Sequence, residues 1–472
     1  MSRPPHAGPP PSSPQRLGPW AAMVKWWQGL PIGHHSRTIL TGATVSIWGL
    51  LALRGTRMLL LLLKTRTMTP HDVGTLTLGI SFAVFIFVLS SGFPVAILRF
   101  GSMLHSGEAA DADNRSLEQR TKGIAMRVFL RHVPFSLAIL IAGNVAARPL
   151  AVGVFASESL VGILRLTLIG VFFSNLTLLS TSLLQSRYKV RYLYAALVGE
   201  VLLNLLFVSA ALGFPNRLMV FAWGFLFGSV AIFCLSALAL RREMPFLFDP
   251  AIRPVYGNER IFRFALLSSL ASTVTKVRAF VVIYLVGFFL TPTSLALYNV
   301  AFRVGTLPNL LPLGINAILA PVAARLFGSG EITSLRRLHL RLAVGSLCLS
   351  IIAFAGYLLL GGAVLSMFGA HYVQALRPLL VIAASTIPAN TFGSSAVIIN
   401  MMGRPQVNTM NETLLLLLVG VLTAYLVPKY GVLGAGWAFA ISQSLTSGLS
   451  FIIVLILYAR DARRTENANH VQ

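Results

Sequence analysis

Polar and apolar positions in this chain alternate on the scale of whole segments rather than of single residues. Apolar runs of roughly 20 residues, the length of a helix crossing a ~30 Å hydrocarbon layer, follow one another with short polar breaks. Twelve can be placed, at 39–63, 73–98, 124–147, 159–185, 192–214, 217–240, 262–289, 294–325, 341–365, 374–402, 409–427 and 432–458. The pattern predicts an all-α integral membrane protein of twelve transmembrane helices.

The pattern also repeats. "MTPHDVGTLTLGISF" (68–82) closes the first span and opens the second, and "LTPTSLALYNVAFRV" (290–304) does the same for the seventh and eighth. Thr69-Pro70 falls on Thr291-Pro292 at an offset of 222 residues. Six spans per half is an even number, so both halves cross in the same sense, a parallel repeat about an axis along the membrane normal. The expected organisation is a six-helix lobe over 39–240, a polar and basic cytosolic linker over 241–261, a second six-helix lobe over 262–458 and a cytosolic tail over 459–472. Before the first span, residues 1–38 form a separate region. Seven prolines within 1–19 predict a disordered cytosolic tail, and the tryptophans of "WAAMVKWWQGL" (20–30) fit either an interfacial segment or a simple tether. No apolar stretch followed by a small-residue cleavage site is present, so this is not a signal peptide.

Composition agrees with the spans. The chain is 56% hydrophobic and 11% charged, against about 25% charged in soluble domains. The net charge of +24 is unevenly placed: 24 of the 38 Lys and Arg belong to the even-numbered loops and the tails, 6 to the odd-numbered loops. Basic loops face the cytosol, which puts both termini there. The same bias explains the charge through contact with an anionic leaflet and membrane lipids, without nucleic acid. Cys234 and Cys348 lie in apolar runs far apart and read as packing residues, with no disulfide framework and no metal site.

Against this background "LALRGTRMLLLLL" (51–63) is anomalous, because it holds Arg54 and Arg57 three residues apart and so on one helix face. An arginine near mid-membrane costs roughly 2.5–3.5 kcal/mol on insertion scales. The 222-residue offset carries Arg54 onto Lys276 and Arg57 beside Arg278. Ser269, Ser272 and Lys276 make a polar stripe on span 7, and Arg303 is deep in span 8. The expectation is a water-filled cavity between the lobes, lined by Arg54, Arg57, Lys276, Arg278 and Arg303. The competing readings are snorkelling, which suits Arg127, Arg131 and Arg165 near span ends, and structural ion pairing, for which Glu200 is the acid well inside a span. Glu200, with Asn204 one turn later, is either an ion-coupling carboxylate or a structural partner of Asn204 or of a basic cavity residue.

A cationic cavity suits an anion. A drug exporter for organic cations would favour buried carboxylates. The loop after span 2, "RFGSMLHSGEAADADNRSLEQR", lacks the Gly, Asp and clustered basic residues of major-facilitator transporters. Enzymes are disfavoured: there is no Walker-A loop, HExxH or GxSxG, the odd-numbered loops are too short for a catalytic platform, and no cofactor is implied.

"FGAHYVQALRPLLVI" (368–382), "MMGRPQVNTMNETLLLLL" (401–418) and "VPKYGVLGAGWAFAIS" (427–442) resemble the C-terminal half of Wzx-type polysaccharide flippases, of the multidrug/oligosaccharidyl-lipid/polysaccharide exporter superfamily. The entry to span 1 and "MTPHDVGTLTLGISFAVFIFVLSSGFPVAILRFGS" are similar too, so the resemblance covers roughly 38–460. It implies a V-shaped bundle of two lobes in the bacterial inner membrane. It also implies export of an undecaprenyl-pyrophosphate-linked oligosaccharide, an O-antigen or exopolysaccharide repeat unit, with a polysaccharide polymerase as a pathway partner. Relatives place basic residues of spans 1, 7 and 8 in the central cavity, at positions matching Arg54, Arg57, Lys276, Arg278 and Arg303. Lipid II flippases carry two further C-terminal helices, which this sequence does not show. The alternative is another twelve-helix secondary transporter, for an anionic substrate or for drug export.

Overall fold

The computed structural model describes residues 34–104, 114–187, 189–210, 212–256, 261–310 and 325–469, with isolated positions between 311 and 324. Side chains at 34–47, 271–272, 274–276, 278–279 and 461–469, and at a few single positions, lie outside the description. The expected tail over 1–19 and the segment over 20–30 also fall outside it. The chain divides at residue 44 into a short N-terminal unit and a body over 45–472; all the packing described below belongs to the body.

The described residues hold helices and turns and no strand. In order they are α1 (His34–Thr67), α2 (Pro70–Ile86), α3 (Gly92–Met103), α4 (Asn114–Arg148), α5 (Ser159–Ser186), α6 (Arg191–Ala210) and α7 (Arg217–Glu243). There follow α8 (Ile261–Phe289), α9 (Pro292–Gly305), α10 (Ile332–Phe368), α11 (Leu376–Phe392), α12 (Ser394–Met401) and α13 (Pro405–Asn469). Eight described segments are long and apolar enough to cross a membrane. One of them, within α13, is two helices folded at Gly431, whose φ of 58° and ψ of −137° lie in glycine's territory. The fold is an all-α membrane bundle of two six-helix lobes.

The repeat is visible atom by atom. Thr69 (φ −68°, ψ 153°) caps α2 by accepting from the Asp72 amide, and Thr291 (φ −77°, ψ 157°) caps α9 by accepting from the Ser294 amide. Each is followed by proline at the first helical position, where a missing N–H costs nothing. Thr77 and Asn299 are 222 residues apart and are hydrogen bonded to each other, Nδ2 to Oγ1 at 3.3 Å. Two repeat-related residues in mutual contact must lie on the axis relating the repeats. Helices α2 and α9 therefore meet there, and closely: a Cβ on Gly74 would stand 1.8 Å from the Pro292 carbonyl oxygen. Small residues that let two backbones approach are the usual device for packing helices in lipid.

Both axial spans are broken. A 3-10 turn at Phe87–Ser90 separates α2 from α3, and another at Leu307–Leu310 follows α9. Freed backbone groups in a bilayer need partners inside the protein. Asn390 of α11 donates to the Pro308 carbonyl at 3.3 Å, and the Ser269 hydroxyl accepts from the Gly92 amide at 2.9 Å. Ser90 donates to the Phe87 carbonyl at 2.8 Å and lies 3.4 Å from Asn175 of α5.

The apolar core is continuous at one end only. Near the turns at 68–69, 149–158, 290–291 and 369–375, one cluster joins both halves, from Met68, Val73 and Leu160 to Leu295, Phe368 and Val427. At the basic end it separates. Phe93, Val128, Leu183, Phe246 and Ile261 form one cluster, and Ile332, Ile398, Val454 and Tyr458 another. The halves are thus sealed together at the end away from the basic loops; toward those loops their cores separate, while the first part of α8 stays packed on the first half.

Two expectations need correction, on the cysteines and on the length of α1. Cys234 and Cys348 are exposed on the apolar surface, so they do not pack the interior. The segment after α7 is bound to the first half: Arg187, Arg127, Arg131 and Arg99 sit 4.5–5.5 Å from the rings of Phe246, Tyr256, Phe262 and Phe264. Arg127 and Arg131 thus meet aromatic rings besides any snorkelling. Helix α1 also continues to Thr67, so Arg57 and Arg54 are ten and thirteen residues from its end, about 15 and 20 Å at 1.5 Å per residue.

Candidate functional site

The site begins with one helix face. Arg54, Arg57 and Lys64 follow one another along α1 at spacings of three and seven, which a 3.6-residue period brings to one side. Arg54 and Arg57 are exposed although both lie deep in a span. Lys64 is half-buried, its Nζ 5.8 Å from the centre of the Phe221 ring. Arg303 faces them from α9. It lies within electrostatic range of Arg54 and Arg57, and Lys64 lies within range of Arg303. The Arg303 guanidinium is aimed by its Nε–H, which donates to Asn299 Oδ1 at 2.9 Å. Asn299 is itself held by Thr77 on the axis. Four cations therefore share one cleft.

Arg54 also stands in the wall of a cavity of about 630 Å³ that belongs otherwise to the second half, Val282 of α8 included. The wall is polar in an unusual way. Amides line it, from Asn309, Asn400, Asn408, Asn411 and Gln443, together with the carboxyl of Glu412. Several amides are locked by the protein. Asn411 Nδ2 donates to the Thr446 carbonyl at 3.0 Å and to Ser450 Oγ at 2.5 Å. Asn408 Nδ2 donates to the Ala396 carbonyl at 2.6 Å and to Asn400 Oδ1 at 2.7 Å. Asn411 Oδ1 and Asn309 Oδ1 are buried with no partner among the described residues. Aromatic rings complete the wall: Phe302 meets Phe439 edge to face at 5.0 Å and stacks on Tyr298 at 5.7 Å.

Glu200 sits in the first half. Its Oε1 accepts from Ser174 Oγ at 2.5 Å and from Ser229 Oγ at 2.7 Å. Arg57 lies in its electrostatic range. Asn204 packs instead against Gly224, and its Oδ1 has no partner among the described residues. The serines and Arg57, not Asn204, are the neighbours that hold Glu200.

Of the residues singled out by sequence, Arg54, Arg57 and Arg303 are brought together. Lys276 and Arg278 lie on α8, and their side chains are outside the described residues. Ser269 does not belong to a stripe facing the cavity, because it is fully buried and spent on Gly92. Two residues were missed. Lys64 looked like a loop residue because the apolar run ends at Leu63. Glu412 sits within span 11, and "VNTMNETL" gave the signal: Asn408, Asn411 and Glu412 at helical spacing at the start of an apolar run.

No family model matches the chain, and no curated protein matches its sequence. Solved structures match its fold. An inward-facing multidrug resistance MATE family transporter of the MOP superfamily superposes with a TM-score of 0.69 at 14% identity, covering 94% of this chain and 99% of that one. An outward-facing structure of such a transporter gives 0.61 at 15%, covering 90% and 96%. A MOP superfamily transporter from Pyrococcus furiosus, described as having a binding pocket of reverse polarity, gives 0.59 at 15%, covering 90% and 95%. At these identities the likeness establishes the fold: that of MATE transporters, two lobes solved in both inward- and outward-facing forms.

Proposed function

We propose that this protein is an alternating-access exporter. Its cargo is an undecaprenyl-pyrophosphate-linked oligosaccharide, an O-antigen or exopolysaccharide repeat unit. The movement is from the cytosolic to the periplasmic leaflet of a bacterial inner membrane, with both chain termini in the cytosol. The observation that carries this reading is the gathering of Arg54, Arg57, Lys64 and Arg303 in one cleft, facing carboxylates only at Glu200 and Glu412 among the residues described there. An excess of fixed positive charge at membrane depth is stable when an anion can occupy it. Lys276 and Arg278 would add to the same field.

The structure with a sealed end away from the basic loops and separated clusters toward them supports loading from the cytosol. A membrane potential negative inside favours outward movement of an anion by about 2.3 kcal/mol per charge per 100 mV, so export is electrically downhill. Polymerisation outside, by a polysaccharide polymerase, would draw the product away. Membrane lipids are the other partner, since the polyprenyl tail stays in the bilayer.

A second reading has its own support. The MATE structures similar in fold are described as multidrug resistance transporters, and Glu200 and Glu412 place one carboxyl in each half. The charge balance of the cleft argues against organic cations. A deletion strain separates the two: the export reading expects loss of surface polysaccharide and accumulation of its lipid-linked repeat unit, with drug susceptibility unchanged. Intact polysaccharide with raised drug susceptibility would replace it by drug export.

A further inference from the structure

We propose that the cavity in the second half seats the sugar residues of the cargo, while its pyrophosphate lies on Arg54 at the lip and on the cations beyond. The inference rests on the export reading and specifies where each part of the headgroup binds.

Hydrogen-bond polarity is the first ground. The amide donors of Asn411 and Asn408 are spent on the protein, while Asn309, Asn400 and Gln443 bring further amides to the wall and Ser447 a hydroxyl. A wall of amides and hydroxyls beside the Glu412 carboxyl suits a ligand that both donates and accepts. Sugar hydroxyls do both, whereas pyrophosphate oxygens only accept. The anionic end is directed to Arg54, the cation among the lining residues.

Size is the second. A calcium ion would also satisfy acceptors, but it needs six to eight oxygens converging at about 2.3–2.6 Å. Here the void is about 630 Å³, roughly twenty times the ~30 Å³ that one water occupies in the liquid. That space suits a ligand of many atoms. Third, the rings of Tyr298, Phe302 and Phe439 line the same cavity as the amides, which matches a sugar ring with C–H faces and hydroxyl edges.

The test uses the full chain in lipid nanodiscs and native mass spectrometry of retained lipid. The probes are bare undecaprenyl pyrophosphate and the undecaprenyl-pyrophosphate glycan fraction extracted from the cells that make the protein. Wild type should retain the glycan-bearing lipid at least about tenfold better, equivalent to about 1.4 kcal/mol. Gln443→Met and Asn411→Leu should each bring it down to the level of the bare lipid, whose retention should not change. Gln443 is the safer position for folding, because its Nε2 bonds only Ser447 one turn away, at 3.3 Å; unfolding midpoints of the unloaded variants serve as the control. Variants that keep the glycan preference overturn the proposal. So does a sodium-dependent stabilisation of wild type that both variants lose while the glycan preference persists, which would make this a cation site. Equal retention of both lipids by wild type removes the sugar seat alone. Retention of neither removes the export reading itself.

Discussion

Arg54 is the residue on which the cleft and the cavity meet. Arg54→Ala and Lys276→Ala should each lower export at least about tenfold, since a hydrogen bond to a charged group is worth about 1.5–3 kcal/mol. Protein level and membrane insertion should remain normal. Arg54→Lys should be milder, because the charge survives while the bidentate fork is lost. Full export by both alanine variants would show that the cations do not hold cargo. Glu200 tests a different role. Its two serine donors and Arg57 suffice for a structural part, so Glu200→Gln should leave the pH-gradient dependence of translocation in proteoliposomes unchanged at clamped voltage. Loss of that dependence would make Glu200 the coupling carboxylate. Arg54 was legible because a charge in an apolar run has few explanations. Lys64 was not, because its place depends on how far α1 continues past the apolar run. Lys276 and Arg278 rest on the repeat alone.

Among the elements, the sealed end depends on α1 against α10 and α2 against α9. Arg66 at the end of α1 donates to the Met367 and Ser366 carbonyls at the end of α10, at 2.5 and 3.1 Å. A cation at a helix C-terminus is doubly favoured, by the bonds and by the dipole. Arg66→Ala should therefore shift the protein toward the state open at this end. A cysteine at position 302 should react several-fold faster with an impermeant thiol reagent added from that side, and an unchanged rate would show that Arg66 holds nothing closed. Gly74 tests the axis. With a Cβ position 1.8 Å from the Pro292 carbonyl, Gly74→Ala should destabilise by about 1–3 kcal/mol, the usual cost of overpacking. Thermal unfolding in nanodiscs measures it. The capped starts of α2 and α9 were visible as Thr-Pro pairs. The breaks at Phe87–Ser90 and Leu307–Leu310 were marked only by Ser90-Ser91-Gly92 and Pro308-Asn309 inside spans read as continuous, and their stabilising partners, Ser269 and Asn390, come from other helices.

For the molecule as a whole, orientation is the open quantity. With Cys234 and Cys348 replaced, cysteines at positions 68 and 370 should react with an impermeant thiol reagent outside whole cells, and cysteines at 188 and 250 only after permeabilisation. The reverse pattern would invert the direction of transport. The sequence by itself determined the number of apolar spans, their division into two parallel halves and the bias of basic loops to one end. It could do so because a bilayer imposes rules that are local in the chain: a span must be apolar over its full length, and charge must gather at its ends. The tertiary structure alone decided which polar side chains share a space. A helix apolar on every side carries no stripe to say how it is rotated. Only packing against its neighbours turned Asn411, Glu412 and Gln443 toward one cavity, aimed Arg303 through Asn299, and buried Ser269 against the break at Gly92.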